Sequence, residues 1–253
     1  MKHYCRWLAM LVMPLLAFAA HADTVNVAVA ANFTEPAKEL AAMLQKTTGH
    51  TAQLSFGATG AFYTQIKNGA PFDVLLAADS QTPARLEQEG DTAPGTRLTY
   101  ATGQLVLWSA QPGLVDDKGE VLKSGHFNKI AIANPKTAPY GAAAVETINK
   151  LGLQAALQPK LVTGESIGQT YSFIASGNAE LGFVALSQVM NGGKFKGGSM
   201  WLVPSNLHTP IVQEAVILKR AQDNPAAKAW MDLLRSPRGK ELIRSYGYAV
   251  PGG

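Results

Sequence analysis

Four short segments combine small residues with hydroxyl- or amide-bearing ones, and each stands between a strand pattern and the start of a helix pattern. They are Ala30-Ala31-Asn32-Phe33-Thr34, Phe56-Gly57-Ala58-Thr59-Gly60, Ala138-Pro139-Tyr140-Gly141 and Gly164-Glu165-Ser166-Ile167-Gly168. The first turn of a helix has unpaired backbone N–H groups and about half a positive charge. Several such turns aimed at one point would form an anion site without lysine or arginine. The alternative is that they are ordinary capped turns.

The donor groups in these turns suit a small oxyanion. A tetrahedral dianion without a proton offers only hydrogen-bond acceptors, so a selective site should present only donors. Backbone N–H groups and the side chains of Asn, Thr and Tyr can all donate. Because these donors are neutral, the site would avoid the desolvation penalty of a buried cation.

Alternating strand and helix patterns surround the turns. Residues 25–29 alternate as in a strand, and apolar residues at i, i+3, i+4 and i+7 over 37–44 predict an amphipathic helix that Gly49 ends. Residues 72–78 are almost all apolar, which is typical of a parallel strand covered on both faces. This alternation predicts βαβ units, and the strand–turn–helix plan recurs twice in each half of the chain.

Residues 1–22 have the features of a cleaved export signal. Two basic residues, Lys2 and Arg6, precede an apolar run at 7–18, and Ala20-His21-Ala22 fits the cleavage pattern. The run is shorter than the roughly 20 residues that a membrane span needs. Cleavage would remove the only cysteine, Cys5, so the mature chain would have neither disulfides nor a cysteine-ligated metal.

The mature chain is predicted to be a soluble globular protein. Removing two of the 22 basic residues and none of the 18 acidic ones leaves a net charge of +2, so the charge gives no indication of nucleic-acid binding. About 230 residues suit one large domain or two small ones.

Several segments resemble the molybdate-binding proteins of bacterial ABC-type molybdate importers, members of the two-lobed periplasmic binding protein superfamily. The segments are residues 29–33, 55–59, 68–79 and 179–184, within a resemblance that covers the whole mature chain. It implies an α/β fold of the type II class: two lobes, each a mostly parallel sheet flanked by helices, with the ligand cleft between them. It also implies a monomeric periplasmic protein that captures molybdate or tungstate, without cofactor or enzyme activity. Its partners would be a membrane permease and an ATPase.

The resemblance assigns the ligand to five positions. Asn32, Thr59 and Tyr140 would contribute polar side chains, Ile167 would contribute its backbone N–H, and Ala31 belongs to the same set. The chain departs from the family at one position, because many members have a tyrosine where Ala185 stands. We expect Tyr140 to supply that phenolic donor, with its hydroxyl facing an open cleft when no ligand is bound.

The predicted lobes divide the five positions between them. Lobe I would comprise residues 23–102 and 208–253, and lobe II residues 103–207. Positions 32 and 59 then belong to lobe I, and positions 140 and 167 to lobe II. Closure of the lobes over the anion would complete its coordination, as in a hinge motion.

Two other functions compete with molybdate capture. Residues 164–168 fit the Gly-x-Ser-x-Gly elbow of α/β-hydrolases, which would make Ser166 the nucleophile of an exported esterase. That family places its acid and then its histidine after the serine, whereas the only later histidine, His208, precedes Asp223 and Asp232. The second alternative is the same fold with another tetrahedral oxyanion, such as sulfate, because the sequence does not give the cavity radius. Molybdate and tungstate are too similar to separate by sequence.

Overall fold

The computed structural model describes residues 22–252. The predicted signal peptide, residues 1–22, lies outside the described residues except for Ala22. The strands are β1 Thr24–Ala30, β2 Thr51–Gly57, β3 Val74–Leu76, β4 Leu98–Gly103, β5 Leu105–Ser109, β6 Ile130–Ala133, β7 Leu161–Gly164, β8 Leu181–Ala185, β9 Met190–Asn191, β10 Lys194–Phe195, β11 Ser199–Leu202 and β12 Ile211–Ile217.

Helices follow or separate most of these strands. They are α1 Thr34–Thr48, α2 Thr59–Lys67, α3 Gln81–Gln88, α4 Val121–Ser124, α5 Pro139–Lys150, α6 Gln154–Leu157, α7 Ile167–Ala175, α8 Leu186–Val189, α9 Pro225–Arg235 and α10 Pro237–Ser245. Short 3-10 turns occupy Ala31–Phe33, Gln158–Lys160, Ser205–Leu207 and Lys219–Ala221. Within residues 22–252, no helix has the length and apolar character required to cross a membrane.

The strands form two five-stranded sheets with the same plan, besides a hairpin of β9 and β10. The first sheet has the order β2-β1-β3-β12-β4, and the second has the order β7-β6-β8-β5-β11. In each sheet the first three strands are parallel, and the last two pairs are antiparallel. The predicted α/β fold class is therefore confirmed, although each sheet is mixed: four of its five strands point the same way, and β12 or β5 runs against them.

The chain passes between the two sheets twice. On the outward passage β4 ends at Gly103 and β5 begins at Leu105, and on the return residues 203–210 join β11 to β12. The first sheet takes its strands from residues 24–103 and 211–217, and the second from residues 105–202. We retain lobes of residues 23–102 with 208–253, and 103–207, as a proposal for the domain division.

Helices cover both faces of each sheet. The valines of β1 at positions 25, 27 and 29 pack with α1, α9 and α10, whereas Ala28 packs with Phe62 of α2 and Leu86 of α3. In the second sheet α5 covers one face and α7 the other. Burial on both faces explains why residues 74–78 are apolar without alternation, since all five are buried.

The helix α1 shows how the sequence pattern determines the packing. Leu40 and Leu44 of the predicted apolar stripe are fully buried, and burying each leucine contributes about 1.5–3 kcal/mol. Gly49 ends the helix with a positive φ of 78°, and its N–H donates to the Gln45 carbonyl. The structure confirms the helix predicted from residues 37–44 and its glycine stop.

Candidate binding site

A small cavity lies where strands of both sheets end. The strands β1 and β2 of the first sheet, and β6 and β7 of the second, lead into the turns that line it. The lining residues are Ala30, Ala31, Asn32, Gly57, Ala58, Thr59, Ala78, Ala138, Pro139, Tyr140 and Ile167. The structure thus brings all five predicted site residues together around one cavity.

The cavity is enclosed in this conformation. Its volume is about 10 Å³, which is about the least that holds one water molecule. The five predicted residues are each at most 6% exposed. An anion larger than water can therefore enter and fit only if the lining turns of the first sheet move away from those of the second.

The helices that begin at the cavity leave backbone donors available there. The residues before α2 and α5 are Ala58 and Ala138, and neither supplies a side-chain cap. The helix α7 is capped by Ser166, whose Oγ accepts a hydrogen bond from the Gln169 N–H, two residues beyond Ile167. The first N–H groups of a helix have no acceptor within that helix. The Thr59 and Ile167 N–H groups can therefore serve an anion in the cavity.

Thr59 is oriented by the first sheet. Its Oγ1 accepts a hydrogen bond at 3.0 Å from the N–H of Ala78, two residues after the end of the apolar strand β3. A hydroxyl can accept and donate at the same time, so this contact leaves the Thr59 proton free to donate elsewhere. The predicted donor role of Thr59 is compatible with its geometry.

Asn32 makes its hydrogen bonds away from the cavity. Its Nδ2 donates to Gln213 Oε1 at 2.8 Å and to Tyr248 Oη at 2.9 Å. Both amide protons are therefore used within the protein. Among the described residues, the buried Oδ1 has no hydrogen-bond partner. The expectation of a free side-chain donor at Asn32 does not match this arrangement, in which Asn32 offers its backbone N–H.

Tyr140 is buried rather than open to a cleft. It is 1% exposed, and its Oη accepts a hydrogen bond from Gln213 Nε2 at 3.1 Å. The expectation that its hydroxyl faces an open cleft is wrong for this closed conformation. Burial raises the pKa of Tyr140 well above its ordinary value, so the hydroxyl stays neutral. Because Oη accepts from Gln213, its proton can go to another acceptor, either an anion in the cavity or the Tyr248 hydroxyl, whose hydrogen bond also raises the pKa of Tyr140.

Comparison with known proteins identifies the family to which this chain belongs. Residues 25–249 match the family described as bacterial extracellular solute-binding protein. The chain belongs to this family. It is 60% identical to the molybdate-binding protein ModA of Azotobacter vinelandii, over 93% of this chain and 94% of that protein. It is 55% identical to ModA of Rhodobacter capsulatus, over 93% and 92%.

A solved structure of a family member has the same fold. The periplasmic molybdate-binding protein of Azotobacter vinelandii aligns with a TM-score of 0.87 at 43% identity, covering 90% of this chain and 99% of that one. The family resemblance drawn from the turns of the sequence is therefore confirmed. Ala185, where many members have a tyrosine, is buried at the end of β8 and does not line the cavity.

Solute-binding proteins of this family are not enzymes, and the geometry of Ser166 gives no support to the esterase alternative. Its Oγ is the helix cap that accepts from the Gln169 N–H at 3.3 Å. The histidine that the hydrolase pattern would need, His208, has Nδ1 2.8 Å from the Thr209 carbonyl oxygen. The Gly-x-Ser-x-Gly pattern is explained here by the capping of α7.

Direct hydrogen bonds hold the two halves closed around the cavity. The Gly60 N–H of α2 donates to the Thr137 carbonyl at 2.9 Å. On the other side of the cavity, Ser187 Oγ donates to the Asn32 carbonyl at 2.8 Å. These bonds join residues of the first sheet region to residues of the second, so opening the site requires breaking them.

Sequence reasoning missed the polar residues behind the cavity. Gln213 forms hydrogen bonds with Asn32, Tyr140 and Tyr100, and Tyr248 forms one with Asn32. Neither Gln213 nor the two tyrosines at 100 and 248 belong to the four turns. Gln213 is 181 positions from Asn32, and Tyr248 is 216 positions away. The only signal in the sequence is that Gln213 alternates with the apolar residues of β12, and the other buried residues of that strand are all apolar.

Proposed function

We propose that this protein is an exported substrate-binding protein that captures molybdate, or tungstate, for uptake by an ABC transporter. One observation carries the proposal: turns from both sheets meet at an enclosed cavity whose Thr59, Tyr140 and Ile167 groups can donate hydrogen bonds. The choice of molybdate as the ligand is supported by the two relatives named as molybdate-binding proteins, at 60% and 55% identity.

The residues around the cavity favour an unprotonated anion. None of the eleven lining residues carries a charge, and the one phenol among them stays neutral because burial raises its pKa. Protonated phosphate would need an acceptor such as a carboxylate, and no carboxylate lines the cavity. Neutral donors at helix starts stabilise a dianion through the partial positive charge of the helix termini.

Capture proceeds by closure of the two halves over the ligand. The anion would first bind to one lobe of an open form, and closing would add the donors of the other lobe. A membrane permease and its ATPase would then receive the ligand from the closed form in the periplasm. The protein would act as a monomer in this cycle.

The test is isothermal titration of the purified protein with molybdate, tungstate, sulfate and phosphate. We expect tight binding of molybdate and tungstate, weaker binding of sulfate and almost none of phosphate. Between about pH 6.5 and 8.5 the molybdate affinity should stay constant, because no group lining the cavity titrates there. Equal affinity for sulfate would reassign the ligand, and no heat with any oxyanion would contradict the proposal.

A further inference from the structure

Gln213 of β12 is a fully buried amide directly behind the cavity wall. Its Nε2 donates to Tyr140 Oη at 3.1 Å, and its Oε1 accepts from Asn32 Nδ2 at 2.8 Å and from Tyr100 Oη at 3.0 Å. The pairing of β12 with β4 shifts register between Gln213 and Glu214, and such irregularities redirect side chains. One glutamine thus links two residues that line the cavity and come from different sheets.

The contact between Gln213 and Tyr140 requires glycine at position 103. A methyl group there would overlap the Tyr140 hydroxyl and lie 2.6 Å from Gln213 Nε2. Gly103 is the last residue of β4, where the chain leaves the first sheet for the second. The hydrogen bond therefore sits at the junction of the two halves, and any side chain at this position would displace it.

The orientation of the Gln213 amide decides which way the Tyr140 proton points. An amide nitrogen only donates and an amide oxygen only accepts, whereas a phenol has one proton. With Nε2 toward Tyr140, the hydroxyl accepts from Gln213, and its proton can point into the cavity. With Oε1 toward Tyr140, the hydroxyl would donate to Gln213 and present only lone pairs to an anion.

The Asn32 amino group maintains the observed orientation, whereas the Tyr100 hydroxyl fits either one, because it can also accept a hydrogen bond and can donate to the Ala77 carbonyl instead. The Asn32 amino group and the Tyr100 hydroxyl both donate to Oε1 of Gln213. The Asn32 amino group cannot accept, so turning the Gln213 amide over would place two donors against each other. Because burial raises the pKa of Tyr100, Tyr140 and Tyr248, the phenols of this network stay neutral.

We propose that Gln213 is a positioning residue of the anion site, which fixes the Tyr140 hydroxyl as a donor into the cavity. The inference rests on the function proposed above and adds a residue that does not touch the ligand. It accounts for a glutamine among the buried residues of β12, the others of which are apolar, and for glycine at position 103, beside the hydrogen bond of Gln213 to Tyr140.

The test is Gln213→Glu in the purified protein, titrated with molybdate by calorimetry. At about pH 8 the introduced carboxylate accepts a hydrogen bond from the Tyr140 hydroxyl, so we expect the affinity to fall about 100-fold. Burial raises the pKa of such a carboxyl, and lowering the pH to about 5.5 should protonate it. The protonated carboxyl can donate to Tyr140 as the amide does, so the affinity should recover toward that of the native protein at the same pH.

The loss of affinity has two possible causes, the redirected Tyr140 hydroxyl and the repulsion between the carboxylate and the anion. A double-mutant cycle with Tyr140→Phe separates their contributions. In the Tyr140→Phe background the repulsion remains but no hydroxyl can be redirected. At about pH 8, Gln213→Glu should then cost about tenfold less affinity than in the native background. Gln111→Glu adds the same charge at an exposed position and should leave the affinity unchanged.

Equal losses in the two backgrounds would overturn the positioning role. Failure of the native protein to bind molybdate would instead contradict the proposed function itself. If Gln213→Glu does not fold, Gly103→Ala tests the same contact by displacing the Tyr140 hydroxyl. It should lower the affinity about tenfold in the native background and clearly less with Tyr140→Phe, where the methyl group no longer meets a hydroxyl but still lies close to the ring and to Gln213 Nε2. Native affinity in folded Gly103→Ala would also overturn the proposal.

Discussion

Molybdate at about 1,000 times its dissociation constant is expected to raise the free energy of unfolding by about 4 kcal/mol. The donors around the cavity lie far apart in the sequence, at Thr59, Tyr140 and Ile167, and only the folded chain brings them together. The unfolded chain therefore offers no comparable site. For a protein of this size, we expect the melting temperature to rise by roughly 10 °C, measured by differential scanning calorimetry.

The oxyanion series provides the control for this stabilisation. Sodium chloride at matched ionic strength should leave the melting temperature unchanged, because the cavity has no charged group that salt would screen. Tungstate should act like molybdate, sulfate should act less and phosphate hardly at all. If molybdate and chloride gave the same melting temperature, the cavity would not be an anion site.

Tyr140→Phe is expected to weaken molybdate binding by about 1.5–3 kcal/mol, the usual range for a hydrogen bond to a charged group. That is about one to two orders of magnitude in the dissociation constant. The structure adds a second effect, since the substitution leaves Gln213 Nε2 without its acceptor in a buried position. We therefore also expect the ligand-free protein to lose about 1–3 kcal/mol of stability.

Two conservative substitutions serve as controls for Tyr140→Phe. Tyr171→Phe removes the hydroxyl of a partly buried tyrosine that stacks on Trp108 and does not line the cavity, so binding should not change. Ile167→Val should be nearly silent, because Ile167 would contribute only its backbone N–H. Titrations in which Tyr140→Phe binds like the native protein while Ile167→Val binds poorly would contradict the donor role of the Tyr140 hydroxyl.

The convergence of the turns was predictable from the sequence because it depends on local patterns. Each turn follows a strand and precedes a helix, and the carboxyl ends of adjacent parallel strands lie at the same edge of a sheet. Local patterns also identified two buried elements. These are the strand within the apolar run that ends at Ala78 and the helix α1, whose apolar stripe ends at Leu44. Local residue types were sufficient to select the turns that contain Thr59 and Ile167, whereas the resemblance to the family assigned these two residues to the ligand.

The antiparallel strands and the residues behind the cavity could not be predicted in this way. The apolar pattern of β12 indicates a strand but does not specify which strands it pairs with or in which direction. Gln213 and Tyr248 reach Asn32 only through long-range contacts. For the same reason the sequence did not show that the Asn32 amide protons are used within the protein, or that the Tyr140 hydroxyl is enclosed.

The most direct test of the account is anomalous diffraction at the molybdenum absorption edge, from crystals of the protein grown with molybdate. We predict a single strong peak inside the cavity, with molybdate oxygens within hydrogen-bond distance of Thr59 Oγ1, Tyr140 Oη and the Ile167 backbone nitrogen. A peak at another place in the molecule, or no bound molybdenum at all, would contradict the assignment of this cavity as the anion site.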